Sequence, residues 1–282
     1  MKVYPEVRGL KFLPMILLLS VLFLSLLYSP PASGHDPNAV IYSVWATTPP
    51  TIDGTIDPAE WAPARPMHFT ITTGGGTITG TIYVMNDGLN IYIAVEVSDT
   101  TDQSGDCLCI FFDNGDDGSL SVGEDGFGFY GTSTGGQFQD NYYQGVSYSI
   151  DYDPVTHQYF IDGGGARNSA NPGQYEFWHP LSSGDTAHDF SLSPGDRVGF
   201  TVFCIDESLG PGGYWPASHS HPDRFGDIIL AVPLAPAVGG VEVPIDASRV
   251  VLAGLSSSAG LMVAVVLLAL GTWIHARKGS SP

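Results

Sequence analysis

Short alternating runs of apolar and polar residues are the feature that most constrains the fold of this chain. Runs such as "LNIYIAVEV" and "RVGFTVFCI" have an apolar residue at every second position, and Gly, Pro, Asn and Asp separate one run from the next. A period of two places one face of a strand against a core, whereas a helix repeats every 3.6 residues. About ten such runs predict an all-β domain, an antiparallel β-sandwich of the jelly-roll or immunoglobulin-like class.

Two short segments carry more specific signals. Asn86-Asp87-Gly88, between two predicted strands, is a typical hairpin turn. The segment "DPAEW" predicts a short helix with Asp57 as its N-cap, Pro58 at its first position and Glu60 closing a capping box.

The N-terminal segment 1–34 has the composition of a secretory signal. Lys2, Arg8 and Lys11 form a basic head, which the apolar run "FLPMILLLSVLFLSLLY" follows. The small residues Ala32 and Gly34 suit cleavage before His35. The same pattern also fits an uncleaved signal-anchor, so both interpretations stay open.

The C-terminal segment predicts a membrane anchor. Residues 250–274 carry no charge, and a helix of that length crosses a hydrocarbon core of about 30 Å. A buried core helix is the alternative. Basic residues in 275–282 mark a short cytoplasmic tail, and residues 233–249 have the Pro, Gly and Ala content of a stalk. The predicted domain, residues 35–232, then lies outside the cell on a single-pass protein, or on a two-pass protein if the signal is uncleaved.

The charge of the chain narrows the choice of partners. The formal net charge is −19 at pH 7, and the basic residues of the predicted domain are only Arg65, Arg167, Arg197 and Arg224. Nucleic acid is excluded as a partner because phosphate binding requires many Lys and Arg side chains. Cations are the more natural companions of such a domain.

Three cysteines leave two interpretations open. Cys107 and Cys109 point to the same face of a strand. In one interpretation, Cys204 forms a disulfide with one of them in an oxidising exterior. The alternative is three simple buried thiols. The spacing does not match a zinc knuckle.

The segment "PPTIDGTIDPAEWAPA" resembles the opening of family 9 carbohydrate-binding modules, with its Ile-Asp-Gly, acidic residue and Trp. "GLNIYIAVEVSD", "GDCLCIFFDNGDDG", "YEFWHPL", "GDRVGFTVFCIDE" and "DRFGDIIL" resemble later strands of that family in the same order. The resemblance covers residues 47–230. It implies a β-sandwich, a polysaccharide or oligosaccharide ligand, and structural calcium. The wider DOMON-like group also contains haem-binding domains.

An acidic stretch, "FFDNGDDGSLSVGEDGF", has part of the spacing of a calcium loop. If Asp113 is counted as the first ligand position, Asp117 falls at the fifth and Glu124 at the twelfth, but Gly115 at the third has no side-chain ligand. The sequence predicts a structural calcium site here, to which Asp99 and Asp106 would add ligands. A solvated acidic turn is the alternative.

Aromatic side chains are the candidates for contact with sugar rings. The resemblance implies a sugar held between two aromatic rings near one end of the sandwich. Trp215 and Tyr214 lie in the predicted loop "GPGGYWPASHSHPD", with packing over the sandwich end as the alternative for Trp215. Trp178 is a candidate opposing ring or a core residue. Tyr142 and Tyr143 in "DNYYQG" are further candidates, and Trp61 is expected to be structural.

Other functions have weaker support in the sequence. Haem would require axial ligands such as Met85 and a histidine, but Met85 alternates like a core residue. His219 and His221 are expected in a surface loop. Catalytic motifs are absent from the sequence, so we expect a binding protein. If it takes part in carbohydrate catabolism, it would act beside a separate glycan-degrading enzyme. The two alternatives are a haem b electron-transfer domain and a structural cell-envelope protein that binds no ligand.

Overall fold

The computed structural model describes residues 35–153, 158–169 and 172–233. The predicted signal, most of the stalk, the membrane anchor and the cytoplasmic tail lie outside these residues. Within them, no helix is long and apolar enough to cross a membrane.

Two packed sheets form the described domain, as the alternation predicts. The first sheet contains β1 (Val40–Tyr42), β6 (Cys107–Asp113), β7 (Asp125–Tyr130), β8 (Gln137–Tyr143), β9 (Tyr148–Ile150), β14 (Arg197–Ile205), β15 (Gly213–Trp215) and β16 (Gly226–Ile229). The second contains β2 (Val44–Trp45), β3 (Met67–Thr72), β4 (Thr77–Asn86), β5 (Asn90–Val97), β12 (Gly164–Asn168) and β13 (Gly173–Pro180). A small hairpin joins β10 (Tyr152–Asp153) to β11 (Gln158–Tyr159).

The order of the strands places β1 and β9 at opposite edges of the first sheet. That order is β1-β16-β14-β6-β7-β8-β9, with β15 also paired to β14, and the second sheet runs β12-β13-β5-β4-β2, with β3 also paired to β4. The hairpin predicted at Asn86-Asp87-Gly88 connects β4 to β5, and Asp87 accepts hydrogen bonds from the backbone N–H groups of Leu89 and Asn90.

The sheets are mixed, which corrects the expectation of a purely antiparallel sandwich. β1 pairs in parallel with β16, and β2 pairs in parallel with β4. The segment 40–45 passes from one sheet to the other at Ser43, whose hydroxyl bonds the Asn86 side chain and the backbone N–H of Ala231. The alternation indicates a strand but not whether its partner runs parallel or antiparallel, so these parallel pairs were not predicted.

The core lies between the sheets, and each sheet also carries a smaller apolar cluster on its outer face. Ile82, Ile93, Phe112, Phe127 and Phe200 are among the core residues that are fully buried. Cys204 belongs to this core, whereas Cys107 and Cys109 lie in the outer cluster of the first sheet. All three cysteines are free and buried, which is the second of the two interpretations of the sequence.

The predicted helix is present as α1 (Pro58–Trp61), a single turn. Asp57 caps it by accepting a hydrogen bond from the N–H of Ala59. The predicted capping box is wrong in one respect, because the Glu60 carboxylate bonds the backbone N–H and hydroxyl of Thr51 instead of turning back to the N-cap. Two short 3₁₀ helices, Glu207–Leu209 and Pro222–Arg224, complete the described elements.

Candidate functional site

The opening motif covers the outer face of the second sheet. Glu176, which is fully buried on β13, accepts hydrogen bonds from the Trp61 indole at 2.7 Å and from the backbone N–H groups of Asp53 and Gly54. Trp61 is buried beside Met85. The motif is therefore structural, as expected for Trp61, and Met85 is a packed residue as its alternation predicts.

A buried histidine faces the acidic loop. His35 Nδ1 lies 2.5 Å from Asp227 and 3.0 Å from Asp116, and its Nε2 lies 3.3 Å from Asp113. Burial alone would lower the pKa of His35, but the hydrogen bonds to Asp113 and Asp227 and the nearby negative charges outweigh burial and raise the pKa to about 9. A protonated His35, with Arg197 at 3.1 Å from Asp227, offsets the crowded carboxylates of this end of the loop.

The predicted calcium ligands of the acidic loop are held mainly by backbone N–H groups. Asp113 accepts from the N–H of Gly118 at 2.7 Å, Asp117 from Ser119 at 2.9 Å, and Glu124 from Asn114. Among the described residues, neither Asp117 nor Glu124 belongs to a group of three or more acidic or histidine ligands within 4.8 Å of one another. Calcium at this loop stays a prediction.

Asp99 and Asp106 do come together, but with an arginine. Arg167, which is 4% exposed, places Nη2 2.8 Å from Asp106 and 3.2 Å from Asp99. Asp206 adds a third carboxylate close to those of Asp99 and Asp106. The guanidinium supplies the positive charge at the position where additional calcium ligands were predicted.

Trp215 and Tyr214 lie on a strand and point to opposite faces of the first sheet. The Trp215 ring packs on the core, stacked on Phe69 at 5.3 Å and edge-on to Phe200 at 5.8 Å. Tyr214 belongs to the outer cluster, and its hydroxyl bonds His219 Nδ1 at 2.8 Å. His219 and His221 lie in a loop, as predicted.

A row of aromatic rings crosses the outer face of the first sheet. Neighbouring ring centroids are 4.1 to 6.4 Å apart along Tyr143, Tyr148, Phe111, Phe203 and Tyr214. The row brings together two predicted residues, Tyr143 and Tyr214. Its most central ring, Phe111, is buried and lies between stacked neighbours, so the ring faces of the row are largely occupied by one another.

Trp178 stands apart from the other candidates. It lies on β13 in the second sheet, and its side chain is 36% exposed. The indole ring passes over Gly164 of the neighbouring strand, where an added Cβ would stand 2.5 Å from its Nε1. The predicted aromatic residues are thus distributed over the core and the outer faces of both sheets.

A cleft of about 430 Å³ lies beside the free edge of the first sheet. Its lining residues, from β8 and β9 with the turn between them and from the β10–β11 hairpin, are Tyr142, Gln144, Ser149, Ile150, Tyr152 and Tyr159. Tyr152 and Tyr159 are 36% and 61% exposed, with ring centroids 5.0 Å apart. Tyr142 stacks on His188 at 4.0 Å, and its hydroxyl accepts a hydrogen bond from Gln144.

A group of four buried polar residues lies between the sheets near β8. Asp125, Asp140, His179 and Asp189 each place one ligand atom within 4.8 Å of the others. Burial raises the pKa of Asp140 to about 8 and that of Asp189 to about 6, and neighbouring carboxylates contribute to both shifts. Burial also raises the pKa of Asp125 well above its usual range and lowers that of His179 to about 4.

Apart from Tyr142, the residues that the structure brings together at these two sites were not predicted from the sequence. Nothing in the spacing of Tyr152 and Tyr159 along the sequence indicated that they meet. Asp140 stands at an inward position of a strand, between Phe138 and Tyr142. A charged residue at a core position was the available signal for the interior group.

Comparisons with known proteins give weak similarities. No protein-family model and no curated protein matches the chain. Two solved structures of a family 9 carbohydrate binding module from Caldicellulosiruptor kristjanssonii are similar to it. One, in complex with cellotriose, has 18% identity and a TM-score of 0.46, covering 72% of this chain and 98% of that chain. The other, in complex with glucose, has 16% identity and a TM-score of 0.45, covering 71% and 100%.

A third similar structure is a candidate carbohydrate-binding protein from Bacteroides uniformis. It has 12% identity and a TM-score of 0.45, covering 67% of this chain and 98% of that chain. The first two belong by name to the family that the opening motif resembles. Because all three TM-scores are below 0.5, the ligand of this chain has to be argued from its own side chains.

Proposed function

We propose that the domain binds a carbohydrate in the cleft between β8–β9 and the β10–β11 hairpin. The observation that carries this proposal is the lining of the cleft, where three tyrosines lie together with the amide of Gln144 and the hydroxyl of Ser149. Sugar rings present apolar C–H faces and hydroxyl groups, which such a lining is suited to contact. The volume of about 430 Å³ lies within the usual range for small-ligand sites, about 300–1,000 Å³.

The cleft is better suited to this role than the aromatic row on the outer face. In the row, the Tyr148 hydroxyl donates to the carbonyl of Phe112, and Phe111 is almost fully buried. In the cleft, Tyr159 is largely exposed, and the ring of His188 stacks on that of Tyr142 and supports it. A supported ring that shares a cleft with accessible rings is suited to contact with a sugar.

The proposal extends to the cellular location of the domain. An N-terminal secretory signal and a C-terminal apolar segment would place it outside the cell, fixed to the membrane. There it would hold a glycan at the surface or present it to a separate enzyme. The acidic net charge of the chain favours a neutral sugar over an anionic one, because like charges repel.

Binding of the full-length chain to a glycan array that includes cellotriose and glucose tests the proposal. We expect Tyr159→Ala to weaken the affinity for the bound glycan about tenfold, the loss expected for an aromatic contact of roughly 1.4 kcal/mol. Tyr42→Ala is the matched control, because Tyr42 is 64% exposed and lies on β1, at the opposite edge of the sheet.

A second variant separates folding from binding. Trp215→Ala should lower the melting temperature, because the ring packs on Phe69 and Phe200, but leave the glycan affinity of the folded protein unchanged. The proposal fails if no glycan binds, or if Tyr159→Ala and Tyr42→Ala bind the glycan equally well.

A further inference from the structure

We propose that Asp125, Asp140, His179 and Asp189 form a binding site for a divalent transition-metal ion that joins the two sheets from inside. Asp125 and Asp140 come from β7 and β8 of the first sheet, and His179 comes from β13 of the second. Asp189 lies in the connection that leads to β14. One ion would therefore bind side chains from both layers of the sandwich.

Each of the four residues has one buried side-chain atom without a hydrogen-bond partner. The atoms are Asp125 Oδ1, Asp140 Oδ1, His179 Nε2 and Asp189 Oδ2, all buried and without a hydrogen-bond partner. Buried polar atoms are nearly always paired, so four unpaired atoms in one place indicate a missing partner. Atoms on opposite sides of an ion bound at about 2.0–2.6 Å are up to about 5 Å apart, and one ligand atom of each residue lies within 4.8 Å of those of the other three.

The other atoms of these side chains are fixed by hydrogen bonds, as is usual for metal ligands. His179 Nδ1 lies 2.8 Å from the carbonyl oxygen of Pro180, which can only accept, so Nδ1 carries the proton and Nε2 presents its lone pair. Asp140 Oδ2 accepts from the N–H of Asp162 at 2.6 Å. Asp125 Oδ2 accepts from the N–H of Phe190 at 3.3 Å.

The group also lacks a positive charge of its own. No Lys or Arg among the described residues lies within 4 Å of its carboxylates, and Arg167 and Arg197 pair with other acidic clusters. His179 is fully buried, and its Nε2 has no hydrogen-bond partner. Carboxylates crowded in the interior are costly unless a cation neutralises them.

The donor set favours a transition metal over calcium. Calcium takes oxygen ligands, usually six to eight of them, whereas a neutral imidazole nitrogen suits zinc and similar first-row ions. Three carboxylates and one imidazole match the four-coordinate geometry that is common for protein-bound zinc. This site is separate in its residues from the predicted calcium ligands of the acidic loop.

Metal binding is tested on the full-length chain after treatment with a chelator. We expect one equivalent of zinc to bind and to raise the melting temperature, because the ion binds the folded state preferentially. Cobalt(II) should bind at the same site and give visible d–d absorption, a signature that a purely structural group of carboxyls would not produce. Calcium at the same concentration should leave the cobalt(II) absorption unchanged.

Variants assign the binding to these residues. Asp140→Asn should weaken zinc binding at least about tenfold. His179→Gln should abolish the cobalt absorption. Asp117→Asn is the matched control, because it makes the same chemical change in the exposed acidic loop, and it should bind zinc like the unmodified chain.

Three results would overturn the proposal. One is an unmodified chain that binds neither zinc nor cobalt. Another is zinc binding that Asp140→Asn leaves unchanged and Asp117→Asn abolishes. The third is displacement of cobalt(II) by calcium at the same concentration. The first result requires no variant, so the test remains decisive even if His179→Gln does not fold.

Discussion

His35 is the residue whose ionisation most directly links the fold to pH. Its pKa is raised from 6.5 to about 9 by the carboxylates of Asp113, Asp116 and Asp227, against the effect of burial. A pKa raised in the folded state contributes stability that is complete below the unfolded value, near pH 6.5, and is lost as the pH rises through 9.

We therefore expect His35→Gln to reduce the free energy of unfolding by about 3 kcal/mol near pH 6, the usual cost of removing one member of a buried ion pair. The difference between the two chains should shrink as the pH passes 9, because the unmodified chain then loses the same charge. Urea unfolding across this pH range measures it. As a control, mass spectrometry should confirm that both chains begin at the same residue. A difference in the free energy of unfolding that does not depend on pH would contradict the raised pKa of His35.

Arg167 is the second buried cation, and it is bound by more partners. It pairs with Asp99 and Asp106, donates to the carbonyl of Gly131 at 2.6 Å, and lies over the Tyr175 ring at 5.2 Å. Arg167→Gln should reduce the free energy of unfolding by about 3–5 kcal/mol, because two carboxylates remain buried without their counter-charge.

Adding Asp106→Asn to Arg167→Gln should recover part of that loss, since one of the uncompensated charges is removed. A double-mutant cycle in urea unfolding measures the coupling between the two residues. Additive losses would show that the pair does not interact as the geometry indicates.

At the scale of single elements, the turn of the opening motif makes a close backbone contact. Gly54 has a φ of +88°, and a Cβ added there would lie 2.7 Å from the backbone carbon of Arg167. Gly54→Ala should therefore reduce the free energy of unfolding by about 1–3 kcal/mol or more through strain and overlap. Thermal unfolding measures this change.

Gly184→Ala is the control for this turn. Gly184 has a φ of +101°, but an added Cβ would meet no atom within 4 Å. It should show the cost of the backbone conformation without the overlap, and so a smaller loss than Gly54→Ala. Equal losses would mean that the contact with Arg167 has no effect.

Strands whose inward positions are apolar were predictable from the sequence, and strands that carry polar inward residues were not. β5, β6 and β14 were predicted because their inward positions are apolar. β8 was missed because it carries Gln137, Gln139 and Asn141 on one face and places Asp140 among the inward residues of the other. β12, "GGARN", has no large apolar residue at all. Both exceptions carry polar groups of the buried clusters, Asp140 in one case and Arg167 in the other.

At the scale of the molecule, the sequence predicted an all-β sandwich but not its mixed pairing. The segment 40–45 is too short and too weakly alternating to be identified as two strands, and its partners β16 and β4 are far away in the sequence. The residues of the candidate sites are likewise far apart in the sequence. Tyr142 was identified, but Tyr152, Tyr159, His179 and Asp189 enter their sites through folding, which spacing along the chain does not reveal.

The parallel pairing of β1 with β16 has a mechanical consequence. The first and last strands of the domain lie side by side and point the same way, so a force that pulls the two ends apart slides one strand along the other. Their bonds, among them Asp36 N to Phe225 O, Asp227 N to Ala39 O and Ser43 N to Ile229 O, then bear the load together and do not open one at a time. A domain tethered at one end and pulled at the other would resist tension through this pair of strands.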